Sequence, residues 1–355
     1  MRKKIFAVSD IHGHYTQMKR ALDEVGFIAN NEQHLLIVCG DLFDRGNESR
    51  EVFEYLNIVQ NKILIRGNHE DMLLHILLKG SIDYNDVHNG ADKTLLSFFG
   101  RDAENFNSDA NKDIREMLVD FIEDMYDYYE TENYIFTHGW LPTDFGQGVF
   151  RVLQDFRSAR PMLWRSARSS SWMKMYMQGA MLADKTIVCG HRASQYGCRF
   201  DLSRSPDDSS VFFGNGMVAI DALTVRSRRV NVFVTEDSCI SAQIHKMNLR
   251  KEPFERIAYG KKRVEMRLFD EKRQKLRIGD EILFLKERGG EETLRAKIIG
   301  LYRYYHFGVM AWDFDRETLG VPEDAGNVGD YMKNFYSDND IWNYGSLAIR
   351  FRLIK

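Results

Sequence analysis

Four short polar blocks, each placed where an apolar run stops, contain the residue types that bind divalent metal ions. They are Asp10-Ile11-His12-Gly13, Gly40-Asp41-Leu42-Phe43-Asp44-Arg45-Gly46, Gly67-Asn68-His69-Glu70 and His138-Gly139. Carboxylate oxygens, amide oxygens and imidazole nitrogens together suit Mn, Fe or Zn. Two divalent cations that share a carboxylate form a hydrolytic site for phosphate esters. The four blocks therefore predict a two-metal phosphoesterase site.

The spacing of these residues indicates which of them bind the metal ions. Asp10 and His12 are two apart at a strand end, where they can hold one ion, and Asp41 is the natural bridging carboxylate. A lone histidine is more often a packed or surface residue. Six ligand-type residues at successive strand ends instead favour the metal-site interpretation. The remaining three candidate ligands are Asn68, His138 and His191.

Three further residues of the second and third blocks are suited to catalysis. Two bound cations lower the pKa of a bridging water and supply hydroxide near neutral pH. His69, beside a candidate ligand, can then protonate the leaving alkoxide, and Asp44 can orient its imidazole. Arg45 can bind phosphate oxygens with two parallel hydrogen bonds. The alternative for Asp44 and Arg45 is a surface ion pair.

An α/β sheet must position these blocks, because short apolar runs alternate with helical patterns. The runs predict buried strands, and a sheet covered on both faces, at Ile5–Val8, Leu35–Cys39, Ile63–Ile65, Tyr134–Phe136 and Thr186–Cys189. Helix-like spacing of apolar residues follows at Tyr15–Val25, Ser49–Val59, Glu70–Leu78 and Ile114–Tyr129. Ligands bind at the carboxyl ends of such strands, and every block lies in such a loop.

The remaining segments predict a long loop, a second sheet and a second domain. Polar Gly80–Lys112 predicts a loop or small cap near the site. Val211–Phe213, Met217–Ile220 and Val230–Val234 alternate like strands of a second sheet. A boundary within Thr235–Ser241 divides the chain into domains 1–240 and 241–355. The second domain is strand-rich, with a helix near Asp330–Phe335.

Composition is that of an ordinary soluble globular protein, with 355 residues, 44% hydrophobic and 28% charged. A net charge of −3 does not indicate a nucleic-acid binder. Residues 246–277, however, contain 12 Lys and Arg against 5 Asp and Glu, which suggests either a polyanionic partner or a solvated surface. Four cysteines without a CxxC pair suit a reducing compartment. No signal peptide or membrane span is evident, so we expect a cytoplasmic protein.

The motif set in residues 1–235 resembles the phosphoprotein phosphatase branch of the calcineurin-like metallophosphoesterases. The resemblance implies a ββ-sandwich flanked by helices. It implies that Asp10, His12 and Asp41 bind one ion, and that the second ion is bound by Asp41, Asn68, His138 and His191. Arg165 resembles the second phosphate-binding arginine of that family, with Arg168 as a competitor. Trp140 replaces a glycine that is common there, and its ring is expected to narrow the cleft or to stack on a substrate.

Residues 245–355 resemble ASCH domains. Gly260-Lys261-Lys262-Arg263-Val264-Glu265-Met266-Arg267 matches their Gly-x-Lys-x-x-Glu-x-Arg signature through Lys262, Glu265 and Arg267. The resemblance implies a small PUA-like β-barrel that is associated with RNA binding or, in a few members, with hydrolysis of modified nucleosides. Bases can stack on Tyr302, Tyr304, Tyr305 and Phe307, unless these aromatics pack a core. For Lys262 and Glu265, a structural ion pair is the alternative to a ligand role.

These observations predict a dinuclear metal-dependent phosphoesterase that hydrolyses phosphate monoesters with a metal-bridging hydroxide. Its two divalent ions are expected to be Mn, with Fe or Zn as alternatives. The leading substrate hypothesis is a phosphorylated protein, as in serine/threonine phosphatases. Alternatives are a nucleotide or RNA substrate, including a dinucleoside tetraphosphate or an RNA end. The C-terminal domain is expected to bind RNA, to recruit the phosphatase to a partner without catalysis, or to hold a second active site.

Overall fold

A computed structural model describes residues 2–287 and 292–354, which form two compact units. One unit comprises Met1–Leu153 and Arg165–Ile240, and the other comprises Gln154–Trp164 and Ser241–Lys355. We propose two domains with the limits 1–240 and 241–355. Gln154–Trp164 lies within the first of these limits but belongs to the second compact unit. In the described part of the chain, no helix has the length and apolar character needed to cross a bilayer.

Eleven described strands of the first unit form two sheets and a hairpin. The first sheet has the order β11-β1-β2-β3, the second has the order β4-β5-β8-β10-β9, and β6 pairs with β7. Strands β1 to β3 run parallel, as do β5, β8 and β10. The strands are β1 (Arg2–Val8), β2 (His34–Cys39), β3 (Lys62–Ile65), β4 (Tyr129–Glu130), β5 (Tyr134–Phe136), β6 (Thr143–Gly146), β7 (Val149–Val152), β8 (Thr186–Cys189), β9 (Phe212–Gly214), β10 (Met217–Ala219) and β11 (Phe233–Ser238).

Helices flank these sheets and bury their apolar faces in one core. Met18 and Leu22 of α1 and Val52 and Leu56 of α2 are fully buried, as the helical spacing predicted. The helices are α1 (Tyr15–Glu24), α2 (Ser49–Ile58), α3 (Asn68–Lys79), α4 (Tyr84–His88), α5 (Ala91–Phe99), α6 (Lys112–Glu123), α7 (Pro161–Arg168), α8 (Trp172–Met177) and α9 (Thr224–Ser227).

Two elements differ from the expectations. The segment 80–112 is largely helical rather than a loop: Asp83 caps α4 by accepting hydrogen bonds from two backbone amides. Leu95, Phe98 and Phe99 of α5 are buried at helical spacing, so that apolar face outweighs the polar composition. Strand β11, expected in the second sheet, instead pairs antiparallel with β1 in the first. An alternating pattern identifies a strand but not its neighbour.

The second unit is built on one five-stranded sheet with the order β12-β14-β15-β16-β13, curled into a half-barrel. Its core includes Phe284, Ile298 and Phe351. Its strands are β12 (Ile244–Leu249), β13 (Val264–Leu268), β14 (Glu281–Lys286), β15 (Thr293–Tyr304) and β16 (Ser346–Leu353). Its helices are α10 (Lys251–Ala258), α11 (Arg316–Leu319), α12 (Val328–Met332) and α13 (Asp338–Tyr344). The predicted fold class, a helix-flanked pair of sheets followed by a small barrel-like module, is confirmed.

Three of the four aromatics proposed to stack bases are core residues of this second unit. Tyr302, Tyr304 and Phe307 are buried, whereas Tyr305 is 75% exposed. The Tyr304 hydroxyl donates a 2.9 Å hydrogen bond to Asp313 Oδ2, which satisfies its polar end inside the fold. For Tyr302, Tyr304 and Phe307 the alternative of core packing therefore holds, and only Tyr305 is open to a base.

Candidate metal centre

Carboxyl ends of the parallel strands of both sheets meet at one point of the first unit, and the candidate ligands lie there. Each stands two to four residues beyond a strand. Two groups of side chains have their ligand atoms within 4.8 Å of one another: His12, Asp41 and His69 form one, and Asp41, His138 and His191 form the other. Both groups contain Asp41. A carboxylate common to two donor groups is what a bridged pair of cations requires.

The hydrogen bonds of His138 indicate that a cation fits this site. Its Nδ1 lies 2.7 Å from the carbonyl oxygen of Cys39, which can only accept, so Nδ1 carries the hydrogen. Nε2 of the neutral ring is then an acceptor. It faces Asn68 Oδ1 at 3.0 Å and Asp41 Oδ1 at 3.3 Å, and both are acceptors too. Three electron-pair donors facing one another form a favourable arrangement when a cation lies between them.

His12 is oriented in the same way at the other side of Asp41. Its Nδ1 lies 3.0 Å from the carbonyl oxygen of Phe43, which leaves Nε2 as the electron-pair donor. Nε2 lies 3.7 Å from Asp41 Oδ2 and 3.9 Å from Asp10 Oδ1. Asp10 Oδ2 in turn accepts a 2.9 Å hydrogen bond from the backbone amide of His191. The donor set is therefore oxygen and imidazole nitrogen without thiolate, which fits a divalent transition metal.

Burial and charge perturb the pKa values of these groups. Burial raises the pKa of Asp10. For Asp41 burial acts in the same direction, but the His138 and His69 rings outweigh it and hold its pKa well below the usual range. Burial would lower the pKa of His138, yet Asp41 and Asp10 raise it to about 10, so without a cation a proton on Nε2 occupies the space between the facing acceptors, and a bound cation would replace that proton. The pKa of His191 falls to about 3 through burial and the neighbouring His138. Buried acids and imidazoles that compete for protons are groups that bound cations would stabilise.

Backbone conformation is strained at the ligands themselves. Asp10, His12, Asp41 and His191 all have positive φ values, between 50° and 63°. Such left-handed conformations cost side-chain-bearing residues about 1–3 kcal/mol each and are found mainly at functional sites. The surrounding structure must therefore hold these four residues in place.

Glu70 and two close-packed glycines provide part of that support. Glu70 is fully buried, and its carboxylate accepts hydrogen bonds of 2.8–2.9 Å from the backbone amides of Asp41, Leu42 and Gly67. Its pKa is raised to about 7 by burial and by the charge of Asp41. A Cβ at Gly67 would lie 2.2 Å from Asp41 Oδ1, and one at Gly190 would lie 2.2 Å from Asp10 Oδ2. No larger residue fits at either position.

The three predicted catalytic residues of the second and third blocks form one chain of contacts. Asp44 is fully buried, and its Oδ2 lies 2.7 Å from His69 Nδ1. Nε2 of His69 lies 2.9 Å from Arg45 Nη2, and Arg45 Nη1 lies 2.9 Å from His12 Nε2. Burial would lower the pKa of His69, but Asp41 and Asp44 outweigh it and raise this pKa. Asp44 and Arg45 are thus part of the centre and are not a surface ion pair.

The structure does not bring Arg165 to this cluster. Arg165 is exposed on α7 and is absent from the lining of the metal-centre cavity. Its competitor Arg168 is buried and pairs with Asp71 at 2.7 Å and with Asp127 at 2.8 Å. Trp140 does not narrow the cleft, because it is fully buried and its Nε1 donates to the carbonyl oxygen of Ala180. The expectation that the Trp140 ring narrows the cleft or stacks on a substrate was wrong, because the ring is buried inside the fold.

Several residues of the site escaped sequence reasoning. Ser9 Oγ lies 2.5 Å from Asp10 Oδ2 and 2.8 Å from the carbonyl oxygen of Cys39, so this small uncharged residue contacts a candidate ligand. Thr94 Oγ1 hydrogen-bonds both the amide and the carboxylate of Asp44. Asp221 lines the same cavity. Asp221 left a signal in the sequence as an aspartate directly after an apolar strand, and Thr94 left one as part of a stretch, with His88-Asn89-Gly90, that resembles bacterial and phage members of the family.

The second unit brings together its three signature residues, of which Lys262 precedes β13 and Glu265 and Arg267 lie on it. Lys262 Nζ lies 3.4 Å from Glu265 Oε2, and Arg267 Nε lies 2.9 Å from Glu265 Oε1. Burial lowers the pKa of Lys262. All three line a cavity of about 290 Å³ that Tyr331 and Tyr336 also border. The ion pair is therefore present, and it lies in the wall of a cavity that is large enough for a small ligand.

Comparison with known proteins agrees with this geometry. Residues 3–221 match the family model of calcineurin-like phosphoesterases, and residues 247–354 match that of ASCH domains. An asymmetrical bis(5'-nucleosyl)-tetraphosphatase of Bacillus subtilis is 26% identical over 160 residues, which are 42% of this chain and 62% of that protein. A symmetrical bis(5'-nucleosyl)-tetraphosphatase of Buchnera aphidicola is 33% identical over 93 residues, 26% of this chain and 32% of that protein.

Among solved structures, a serine/threonine phosphatase of Saccharomyces cerevisiae is 15% identical, with a TM-score of 0.38. The match covers 67% of this chain and 81% of that one. The chain spans less than two thirds of the length of the two curated relatives. The first family model covers well over half of the 355 residues. The chain therefore belongs to the calcineurin-like phosphoesterase family and carries an ASCH domain after its phosphoesterase domain.

Proposed function

We propose that this chain is a hydrolase of phosphate esters that depends on two divalent metal ions, with manganese as the expected metal. The observation that carries the proposal is the pair of donor groups that share Asp41. Asp10 and His12 complete the first metal site. Asn68, His138 and His191 complete the second, as the facing acceptors of His138 support.

The two cations, when bound, supply the positive charge that lowers the pKa of water and polarises the phosphate. Arg45 is the phosphate clamp, because its guanidinium lies between His12 and His69 at the centre. As the oxygen of water bonds to phosphorus, the ester P–O bond breaks and the leaving oxygen needs a proton. His69 donates it, and the buried Asp44 holds the ring in position.

Two substrate classes follow from the relatives. The motif set resembles that of phosphoprotein phosphatases, which favours a phosphorylated protein as the substrate. The curated relatives are bis(5'-nucleosyl)-tetraphosphatases, which favours a nucleotide as the substrate. The motif resemblance by itself favours the phosphoprotein substrate, with a dinucleotide or an RNA end as the alternative.

The test is hydrolysis by the full chain with Mn²⁺, measured as kcat/KM from phosphate release for the two phosphomonoesters and from the nucleotide products for the dinucleotide, whose cleavage frees no phosphate. The substrates are a phosphoserine peptide, diadenosine tetraphosphate and a 5'-phosphorylated RNA. Asp41→Asn and His69→Asn should each lower the best value by about 100-fold or more, as expected for loss of a metal bridge or a proton donor. His75→Asn, an exposed histidine of the same helix, is the matched control. Full activity in both Asp41→Asn and His69→Asn would contradict the proposal.

For the second unit we propose binding of a nucleotide or RNA at the cavity that Lys262, Glu265 and Arg267 line. The observation in favour is the charge of the cavity lining, where the three cations Arg250, Lys262 and Arg267 outnumber the carboxylates Glu265 and Glu287 and leave net positive charge beside aromatic rings. Binding of labelled RNA by the full chain should weaken with salt and weaken further in Arg267→Gln. Exposed Arg277 provides the control substitution, Arg277→Gln. Equal affinity in the two variants would contradict this site.

A further inference from the structure

The cavity at the metal centre has a wall that the proposed reaction does not use. The cavity encloses about 300 Å³, the lower end of the range for small-molecule sites. Metal ligands and Arg45 form one part of its lining. The other part comes from two segments that follow β8 and β10, namely 192–196 and 221–226.

Two arginines in this second wall have no partner in the described part of the chain. Arg192 directly follows the candidate ligand His191, and Arg226 lies in α9. Both are exposed, and neither guanidinium makes an ion pair or a side-chain hydrogen bond with residues 2–287 or 292–354. This differs from Arg45, which contacts two histidines of the centre, and from Arg168, which pairs with two aspartates. Asp221 also lines this wall, but neither guanidinium is paired with it, and two unpaired guanidinium groups in one cavity attract anions.

The same wall is held in a strained conformation and offers apolar surface. Leu223 and Arg228, which flank α9, have φ values of 55° and 56°. Thr224 is 1% exposed, and its Oγ1 is buried without a hydrogen-bond partner. Tyr196, a half-buried ring, lines the cavity together with Leu223. An aromatic ring and an aliphatic side chain near the arginines suit a planar base.

We propose that Arg192 and Arg226 form a second anion subsite, which binds the phosphates beyond the reacting one in a nucleoside polyphosphate, with Tyr196 against the base. This inference rests on the proposed phosphoesterase function and narrows its substrate class. Arg45 would hold the reacting phosphate, together with the metal ions when these are bound. The guanidinium groups of Arg192 and Arg226 can then bind the neighbouring phosphates, which are joined to the reacting phosphate in the anhydride chain.

A phosphoserine peptide fits this wall less well. Its side chain carries one phosphate, which the metal centre and Arg45 would occupy, and its backbone is neutral. Arg192 and Arg226 would then lie in the cavity without an anionic partner. The charge of the cavity therefore favours a nucleoside polyphosphate over a phosphorylated protein.

The test compares two substrates in the full chain with Mn²⁺. For Arg192→Gln/Arg226→Gln, the ratio of kcat/KM for diadenosine tetraphosphate to that for p-nitrophenyl phosphate should fall at least tenfold. Arg229→Gln, an exposed arginine of the same segment that does not line the cavity, should keep the wild-type ratio. A ratio within twofold of wild type in the double variant would overturn the subsite. So would an equal loss of activity toward a phosphoserine peptide.

A binding measurement separates this subsite from the phosphoesterase activity. Titration of the full chain with ATP in the presence of EDTA measures binding at the arginines without turnover. The Kd for ATP should rise at least tenfold in the double variant. If the wild-type chain hydrolyses no phosphate ester, the proposed function fails, and the ATP titration alone decides on the subsite. Equal ATP affinity in wild type and double variant would overturn the inference whatever the activity.

Discussion

Replacement of Thr94 by valine tests whether helix α5 holds the catalytic aspartate in place. Thr94 is fully buried, and its Oγ1 accepts a 2.8 Å hydrogen bond from the amide of Asp44. The same hydroxyl donates a 2.8 Å hydrogen bond to Asp44 Oδ1. Valine has nearly the same shape, so Thr94→Val removes the hydroxyl without opening a cavity. It leaves a buried N–H and a buried carboxylate oxygen each short of a partner.

The expected cost follows from these two groups. A buried polar group that loses its partner costs about 1–3 kcal/mol, so Thr94→Val should lower the free energy of unfolding by roughly 3 kcal/mol. For a unit of this size, roughly 2–4 °C per kcal/mol converts this into a fall of about 6–12 °C in Tm. Because Asp44 also orients His69 at 2.7 Å, we expect kcat to fall by about tenfold or more.

The assay is calorimetry of the full chain together with phosphate release, with Thr94→Ser as the matched control. Serine keeps the hydroxyl and loses one methyl group, so its cost should be about 1 kcal/mol. A Thr94→Val chain that unfolds at the same temperature as Thr94→Ser would refute the reasoning. Such a result would mean that Asp44 is held by other contacts.

Three other perturbations have defined outcomes. Gly190→Ala should lower metal affinity by about 10–100-fold, measured as bound Mn²⁺, because its Cβ would displace Asp10, whereas Gly146→Ala, with open space around it, should not. Removal of metal by EDTA should abolish phosphate release, and Mn²⁺ should restore it; activity that persists in EDTA would contradict the metal dependence. Arg160→Gln should destabilise the second unit by about 1–2 kcal/mol in urea unfolding, because Arg160 and Asp313 form a partly buried ion pair at 2.9 Å. An unchanged urea midpoint would show that this pair contributes nothing.

Sequence patterns predicted the strands of the site well and their partners less well. Tyr134–Phe136 and Thr186–Cys189 have the predicted bounds, because a short apolar run between polar loops can only be buried as a strand here. The partner of β11 could not be predicted, because pairing depends on non-local geometry. The apolar pattern predicted a helix that continues to Tyr129, but α6 ends at Glu123. Tyr126 instead forms a β-bridge with Ile65, and Tyr129 lies in β4.

The candidate ligands were predictable because each is a metal-binding residue type at a strand end. Their supporting contacts were not. Ser9 and Thr94 are uncharged residues whose importance comes from the atoms they touch. Trp140 showed the opposite error, since its chemistry suggested a ligand contact and its burial precludes one. Burial depends on the whole fold, so it cannot be predicted from the residue type at one position.

The central claim is that Asp41 joins two metal sites. The most direct measurement is the number of Mn²⁺ ions bound per chain at saturation, in wild type and in Asp41→Asn, which keeps the shape and removes the charge. The structure predicts two ions in wild type and a large loss of both in the variant, because both donor groups contain Asp41. One ion in wild type, or two ions bound with unchanged affinity in Asp41→Asn, would contradict it.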